Sequence, residues 1–364
     1  MEAFVLEDGA VAVVGPLFRV EAEAAAYKAQ ELGIPLLTLS SAPRLTEIGP
    51  YVFRSGLTHA AQIDALVTYA MDIMGMKDFA VMYPRIPYGE EMLHLFWDRV
   101  AARNGTIRGV ESYGAEDTTF TWQVKRLVGR DALDVRRDYR KARRECEKQP
   151  DNYRKVRCEK RVKTDLKPIV DFDGLFIPDY PQRLTLIAPA LAFEDIIVEN
   201  KASRIRRIEK TLGRKVKPVT LLGASGWNNP ALPAKAERYV ENAIFSDGFF
   251  SAADDKVVIA FVDRFRKEFK RTPILPDALF YDAVGIAKQI IENRAPATRN
   301  EFREALRRVD KYPGVTGVTS FVAGQEATKS VRILSIRDSK IVEAPPPSED
   351  APAPAEPAKA GGSL

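Results

Sequence analysis

The chain has 364 residues, of which 45% are hydrophobic and 29% charged. This composition excludes a disordered or collagen-like protein and leaves room for two α/β lobes. No run of about 18 apolar residues occurs, which excludes a membrane-spanning helix, and residues 1–8 show neither the basic nor the apolar stretch of a secretory signal. The formal net charge of +5 conceals two basic segments, because residues 130–167 carry 15 Lys/Arg against 8 Asp/Glu and residues 201–217 carry 8 against 1. The rest of the chain is mildly acidic.

Short apolar runs alternate with amphipathic stretches along the chain, the pattern of a parallel-sheet α/β architecture. Residues 10–14 predict a first strand, and 21–32 a helix stopped by Gly33, which tolerates the left-handed backbone of a helix end. Strands follow at 35–39 and 51–54. Thr58 is the expected N-cap of a helix reaching Met74. The run 78–83 reads as a buried strand, 90–103 as a helix ended by Asn104-Gly105, 106–113 as a strand and 120–128 as a short helix.

The pattern then breaks. Residues 130–167 are too polar for a core element and predict a solvated helical insertion, divided near Pro150. Regular order returns with a strand at 174–177, a helix at 182–193 and a strand at 219–223, with 201–217 as a second basic insertion. A crossover strand is expected at 243–250. The helix 256–269 places Phe261, Phe265 and Phe269 on one stripe, which is expected to pack and not to bind. Helices at 277–293 and 301–309 and a strand at 330–337 complete the body. In residues 344–364 Pro and Ala supply 12 of 21 positions, which predicts a disordered tail.

Both cysteines, Cys146 and Cys158, lie in the first basic segment. A bridge would close a short loop worth about 3 kcal/mol in an oxidising compartment. Disulfide and unpaired thiols both remain open from the sequence. His59 and His94 are remote from them, so no metal set is expected. The nucleotide-binding, zinc-hydrolase and serine-hydrolase motifs are all missing, so neither an enzyme nor a cofactor is expected. The basic insertions contain only Tyr139 and Tyr153 as aromatics and match no nucleic-acid docking motif, so no nucleic-acid partner is expected.

Several phrases taken together carry a resemblance: Val11-Ala12-Val13-Val14-Gly15-Pro16-Leu17, Gly33-Ile34-Pro35-Leu36-Leu37, Tyr51-Val52-Phe53-Arg54, and Phe79-Ala80-Val81-Met82-Tyr83-Pro84 with Tyr88-Gly89. In order and spacing the chain resembles the type I periplasmic binding proteins, which include receptors for branched-chain amino acids. Later phrases, Val170-Asp171-Phe172-Asp173-Gly174-Leu175-Phe176-Ile177-Pro178, Gly223-Ala224-Ser225-Gly226-Trp227 and Gly314-Val315-Thr316-Gly317, are more similar to the lipoprotein activators of penicillin-binding proteins within that family. The resemblance implies a two-lobed α/β fold of parallel sheets flanked by helices, lacking the first strands of lobe one. It assigns residues 1–76 and 253–317 to lobe one, and 77–251 with 325–343 to lobe two.

The implied location is the periplasm. The implied function is a cell-envelope binding module that recruits or activates a peptidoglycan-synthesis enzyme. The alternative is a solute receptor for a transporter of amino acids or similar small ligands, with the transporter's membrane components as partners and hinge closure over the ligand.

Ligands of open α/β sheets bind beyond the carboxyl ends of strands. The candidates at those positions are Phe18, Arg19, Ser40, Ser41, Tyr88, Tyr180, Ser225 and Trp227. Arg19 suits a carboxylate, or is simply exposed. The serines suit a small polar ligand or turn chemistry. In amino-acid receptors of the family an acidic residue pairs with the ligand ammonium at the place of Ser225, so the resemblance implies no charged partner for a ligand ammonium at that position here. Trp227 either floors the site or packs.

Overall fold

The alternation of apolar and amphipathic stretches resolves into thirteen strands and thirteen α-helices in the computed structural model, which describes residues 1–199, 201–321 and 324–345. The chain divides into two units, Met1–Ala65 with Ser246–Leu334, and Leu66–Phe245 with the chain from Ser335 onward.

The first unit opens with α1 (Glu2–Leu6), β1 (Val13–Val14), α2 (Arg19–Leu32), β2 (Leu36–Thr38), β3 (Val52–Arg54) and α3 (His59–Thr68). The strands pair in parallel in the order β1-β2-β3. Adjacent strand residues point to opposite faces, and the core divides accordingly. Leu36 and Val52 pack with Ala22, Ala26 and Ala29 of α2, a stripe small enough to bring that helix close, whereas Leu37 and Phe53 pack on the opposite face. Gly33 ends α2 at φ 60° and donates its N–H to the carbonyls of Ala29 and Gln30, as a left-handed cap should. Thr58 caps α3, its Oγ1 accepting from Ala61 N–H at 3.1 Å. A π-turn over Tyr69–Ile73 extends that helix.

The second unit contains β4 (Asp78–Pro84), α4 (Pro87–Ala102), β5 (Thr106–Tyr113), α5 (Thr121–Leu127), α6 (Arg137–Glu147), α7 (Asn152–Asp165), β6 (Gly174–Phe176), α8 (Pro181–Phe193), α9 (Ala202–Leu212), β7 (Thr220–Gly223), α10 (Ala231–Ala236) and β8 (Ile244–Asp247). Its strands from β4 to β8 pair in parallel. The core beneath them is aromatic, with Phe96 stacked on Phe176 at 4.3 Å and edge-on to Phe79.

The first basic segment forms the antiparallel pair α6 and α7. Asp151, just after Pro150, caps α7 by accepting from Arg154 N–H at 2.8 Å. Cys146 and Cys158 are joined as a disulfide. Two arginines tie the neck of this hairpin to the body. Arg130 bonds the Leu166 carbonyl, Glu194 and Asp195, and the buried Arg136 bonds the carbonyls of Gly129 and Lys167.

The chain returns to the first unit with α11 (Lys256–Phe269), α12 (Leu275–Arg294), α13 (Arg299–Leu306), β9 (Tyr312–Gly314), β10 (Gly317–Ser320) and β11 (Thr328–Lys329). The Phe261 stripe packs at one end only. Phe261 is buried, but Phe269 is 60% exposed, and the stripe lines an open groove of about 740 Å³ with Tyr281 and Val284. Periodicity predicted the shared face but not how much of it is covered.

The strands β9 to β11 form a small antiparallel sheet held by the buried Asp282 of α12. This carboxylate accepts from Val315 N–H and Thr316 N–H at 2.8 Å and from Thr316 Oγ1 at 2.5 Å. Lys329 Nζ donates to Thr316 Oγ1 at 2.7 Å and to Thr319 Oγ1 at 2.9 Å.

Burial pushes the Lys329 ammonium down to about 8, against the opposing pull of the Asp282 charge. An unfolded lysine titrates near 10.4, so between about pH 8 and 10.4 the unfolded chain binds more protons and stability rises with pH. The wild type should therefore gain on Lys329→Met across that window in urea unfolding. A constant difference would contradict the burial.

The last strands are β12 (Arg332–Arg337) and β13 (Lys340–Glu343), which complete a seven-stranded sheet in the order β13-β12-β8-β7-β6-β4-β5. The tail expected to be disordered lies, from residue 346 on, outside the described residues.

Candidate functional site

The carboxyl ends of β4, β6 and β7 supply the second unit's half of the predicted residues. Tyr88 lies in the first turn of α4 after β4, and Tyr180 is the N-cap residue of α8 after β6. Their rings stand 5.8 Å apart at a tilt of 32°. Tyr88 is half-buried and Tyr180 is 48% exposed, so the pair offers an aromatic wall to solvent.

Beneath the wall lies a residue that the sequence reading passed over. Asp179 is 1% exposed, and its Oδ2 accepts from Tyr113 Oη at 2.6 Å and from Arg183 Nε at 2.7 Å. Its Oδ1 accepts from the Tyr180 N–H at 2.7 Å. Arg183 also reaches the Ala115 carbonyl at 2.9 Å. The carboxylate thus fixes the backbone from which Tyr180 projects, and it joins the end of β5 to the start of α8. The only hint in the sequence was its position, two residues past the apolar run that ends β6.

Burial pushes the phenols of Tyr88, Tyr113 and Tyr180 up, with the Asp179 charge adding to each. All three therefore remain protonated at neutral pH. The Arg183 guanidinium is held charged, first by its hydrogen bond to Asp179.

Ser225 opens a 3₁₀ turn after β7 and is half-buried. Trp227 ends that turn and is buried. Its Nε1 donates to the Ile177 carbonyl at 2.9 Å, and its ring lies 6.3 Å from Phe245. The indole therefore ties the ends of β6 and β7 together from below and leaves the lining to the tyrosines. Between them sits Gly226, where a Cβ would come within 2.7 Å of the Asp179 carbonyl and 3.1 Å of the Tyr180 ring. Gly226→Ala should push the Tyr180 backbone aside, costing about 1–3 kcal/mol by overpacking and weakening any ligand held by the wall. A melt and a titration of this variant check both effects.

The first unit holds the other four candidates at the ends of β1 and β2. Phe18 is exposed at the N-cap of α2. Arg19 is exposed and lies along its own helix, with Nε 3.4 Å from Glu23 Oε1. Ser40 is buried, and its Oγ accepts from Ala42 N–H at 3.2 Å while its N–H donates to Thr38 Oγ1 at 3.3 Å. Its hydroxyl is engaged in turn chemistry. The loop from Ser40 to Ala42 is held by Arg54, also missed from the sequence. Arg54 pairs with Glu326 at 2.6 Å and donates to the carbonyls of Ser41 and Ala42.

The described residues contain no cluster of His, Cys, Asp and Glu able to hold a metal and no helix long and apolar enough to cross a membrane. A family model described as periplasmic binding protein matches residues 1–132 and 204–340. The chain belongs to the periplasmic binding protein family.

Solved members of this fold resemble it over 94% of its length. A putative branched-chain amino acid ABC transporter protein from Rhodospirillum rubrum is 21% identical with a TM-score of 0.70, covered over 82% of its own chain. A leucine binding protein from Thermotoga maritima is 19% identical with a TM-score of 0.61, covered over 81%. A solute binding protein of an ABC transporter from Rhodopseudomonas palustris, in complex with 3,4-dihydroxy benzoic acid, is 16% identical with a TM-score of 0.63, covered over 79%. No curated protein matches the sequence. These likenesses establish the two-lobed α/β fold of mostly parallel sheets flanked by helices that the sequence implied.

Proposed function

We propose that this periplasmic binding protein is a solute receptor for a membrane transporter, that it works in the periplasm and that it catalyses no reaction. The observation that carries the reading is the Tyr88–Tyr180 wall, seated at the carboxyl ends of β4 and β6 and locked by Asp179. Two protonated phenols at this spacing suit a small ligand with a flat or apolar part and one hydrogen-bonding group. The names of the solved relatives, which concern transporter proteins for amino acids or aromatic acids, support a receptor more than a recruiter of peptidoglycan synthesis. No observation at the site favours the recruiter.

The chemistry narrows the ligand further. The buried carboxylate nearest the wall is Asp179, and its two oxygens are engaged by Tyr113, Arg183 and the Tyr180 N–H. Ser225 stands where the resemblance puts the partner of a ligand ammonium. An uncharged or anionic ligand with an aromatic or branched apolar part is therefore favoured over a zwitterion. Calorimetric titration with benzoate-class acids and with branched-chain amino acids tests this. Tyr180→Ala should weaken the bound ligand by about tenfold or more. Equal affinity in the variant would remove the wall from the site.

A further inference from the structure

We propose that helix α7 is a membrane-contact face that seats on the phosphate headgroups of an anionic bilayer. This goes beyond solute binding and does not depend on it. The hairpin of α6 and α7 lies within residues 133–203, which the family model leaves unmatched. Residues 137–165 carry 12 Lys/Arg against 6 Asp/Glu.

At about 100° per residue, Tyr153, Val156, Arg157, Lys160, Arg161 and Lys163 share one half of the α7 surface, and all six are exposed. The half-buried Lys155, Cys158, Glu159 and Val162 take the other half, and Cys158 is joined there to α6. Among the described residues the four cations on the outer half have no ion-pair partner. Arg157, Lys160 and Arg161, with Arg154 that pairs with Asp151, line an open concavity of about 500 Å³ in which Asp165 is the one carboxylate, a balance of charge suited to phosphate groups.

Two apolar side chains decide in favour of a bilayer over a soluble polyanion. Tyr153 is 74% exposed and Val156 59% exposed, beside the cations and on the same face. A soluble acidic partner has no need of them, whereas a tyrosine among cations suits the headgroup level of a membrane, with its ring in the apolar boundary and its hydroxyl in water. The disulfide and the bonds of Arg130 and Arg136 at the neck hold this face ready.

The test is co-sedimentation of the intact chain with vesicles of phosphatidylcholine, with and without phosphatidylglycerol. The chain should pellet with the anionic vesicles only and be released at about 1 M salt, where the screening length falls to about 3 Å. Each basic residue near an anionic surface contributes about fivefold in binding. The triple variant Arg157→Gln, Lys160→Gln, Arg161→Gln should therefore bind roughly a hundredfold more weakly, with its thermal melt unchanged. Tyr153→Ser should also weaken binding, although it alters no charge.

Failure to pellet with anionic vesicles would overturn the proposal. So would equal pelleting with both vesicles, or full binding by the triple variant. Binding of an acidic polypeptide or a nucleic acid in place of vesicles, or indifference to Tyr153→Ser, would assign the face to another occupant and overturn it equally.

Discussion

Replacing Asp179 with alanine should destabilise the protein by about 3 kcal/mol and release the Tyr180 wall. The change strips three donors of their acceptor at once, namely Tyr113 Oη, Arg183 Nε and Tyr180 N–H. Breaking a buried charged pair from one side costs about 3–5 kcal/mol. The lower end applies because the Arg183 side chain is 24% exposed, so water can replace part of what is lost. Asp179→Asn keeps an acceptor and should cost less, and Tyr113→Phe should cost about 1.5–3 kcal/mol as the loss of one charge-assisted bond. A double-mutant cycle on Tyr113 and Asp179 in urea unfolding separates their coupling from the rest. If Asp179→Ala unfolds at the wild-type midpoint, the network does not hold the site.

The second large effect belongs to the first unit. Asp282→Ala removes the acceptor of Val315 N–H, Thr316 N–H and Thr316 Oγ1, all buried beside the Lys329 ammonium. The loss should be about 3–5 kcal/mol, as for any buried charged group left without its counterpart. Asp282→Asn should cost about 1–3 kcal/mol, because an amide presents one oxygen where the carboxylate presents two. Lys329→Met placed on Asp282→Ala should recover part of the loss by removing the stranded cation. A double variant no more stable than Asp282→Ala alone would show that the ammonium is not what Asp282 compensates.

Much of the fold was legible because the signals that make it are local. Apolar runs such as 78–83 and 219–223 have few alternatives to a buried strand, and a solitary Gly33 after an amphipathic stretch marks a helix end by its backbone freedom. The division of the basic segment near Pro150 was legible for the same reason, since a proline removes a backbone donor and strains the turn before it, although α8 accommodates Pro189 in its interior.

The site was harder, because its groups are held by partners distant in sequence. Tyr88 and Tyr180 were singled out by their places after strands, and the structure sets their rings side by side. Asp179 could not be weighed without Tyr113, 66 residues earlier, nor Arg54 without Glu326, 272 residues later. Ser40 and Trp227 look the same in sequence whether they face a ligand or the protein. Only their partners in the fold, the Ala42 N–H and the Ile177 carbonyl, decide it. The Phe261 stripe shows the same limit from the other side, since spacing places three rings on one face of α11 without fixing what covers them.

Binding of a small solute by this family member is tested by a thermal-melt screen of the purified chain against aromatic acids, branched aliphatic acids and amino acids. A true ligand at a hundred times its dissociation constant adds about 2.7 kcal/mol of stability, which appears as a clear upward shift of the melt. Such a shift is expected for at least one acid with a flat or branched apolar part, and it should be lost in Tyr180→Ala. A single cooperative melt that no solute moves would contradict solute binding.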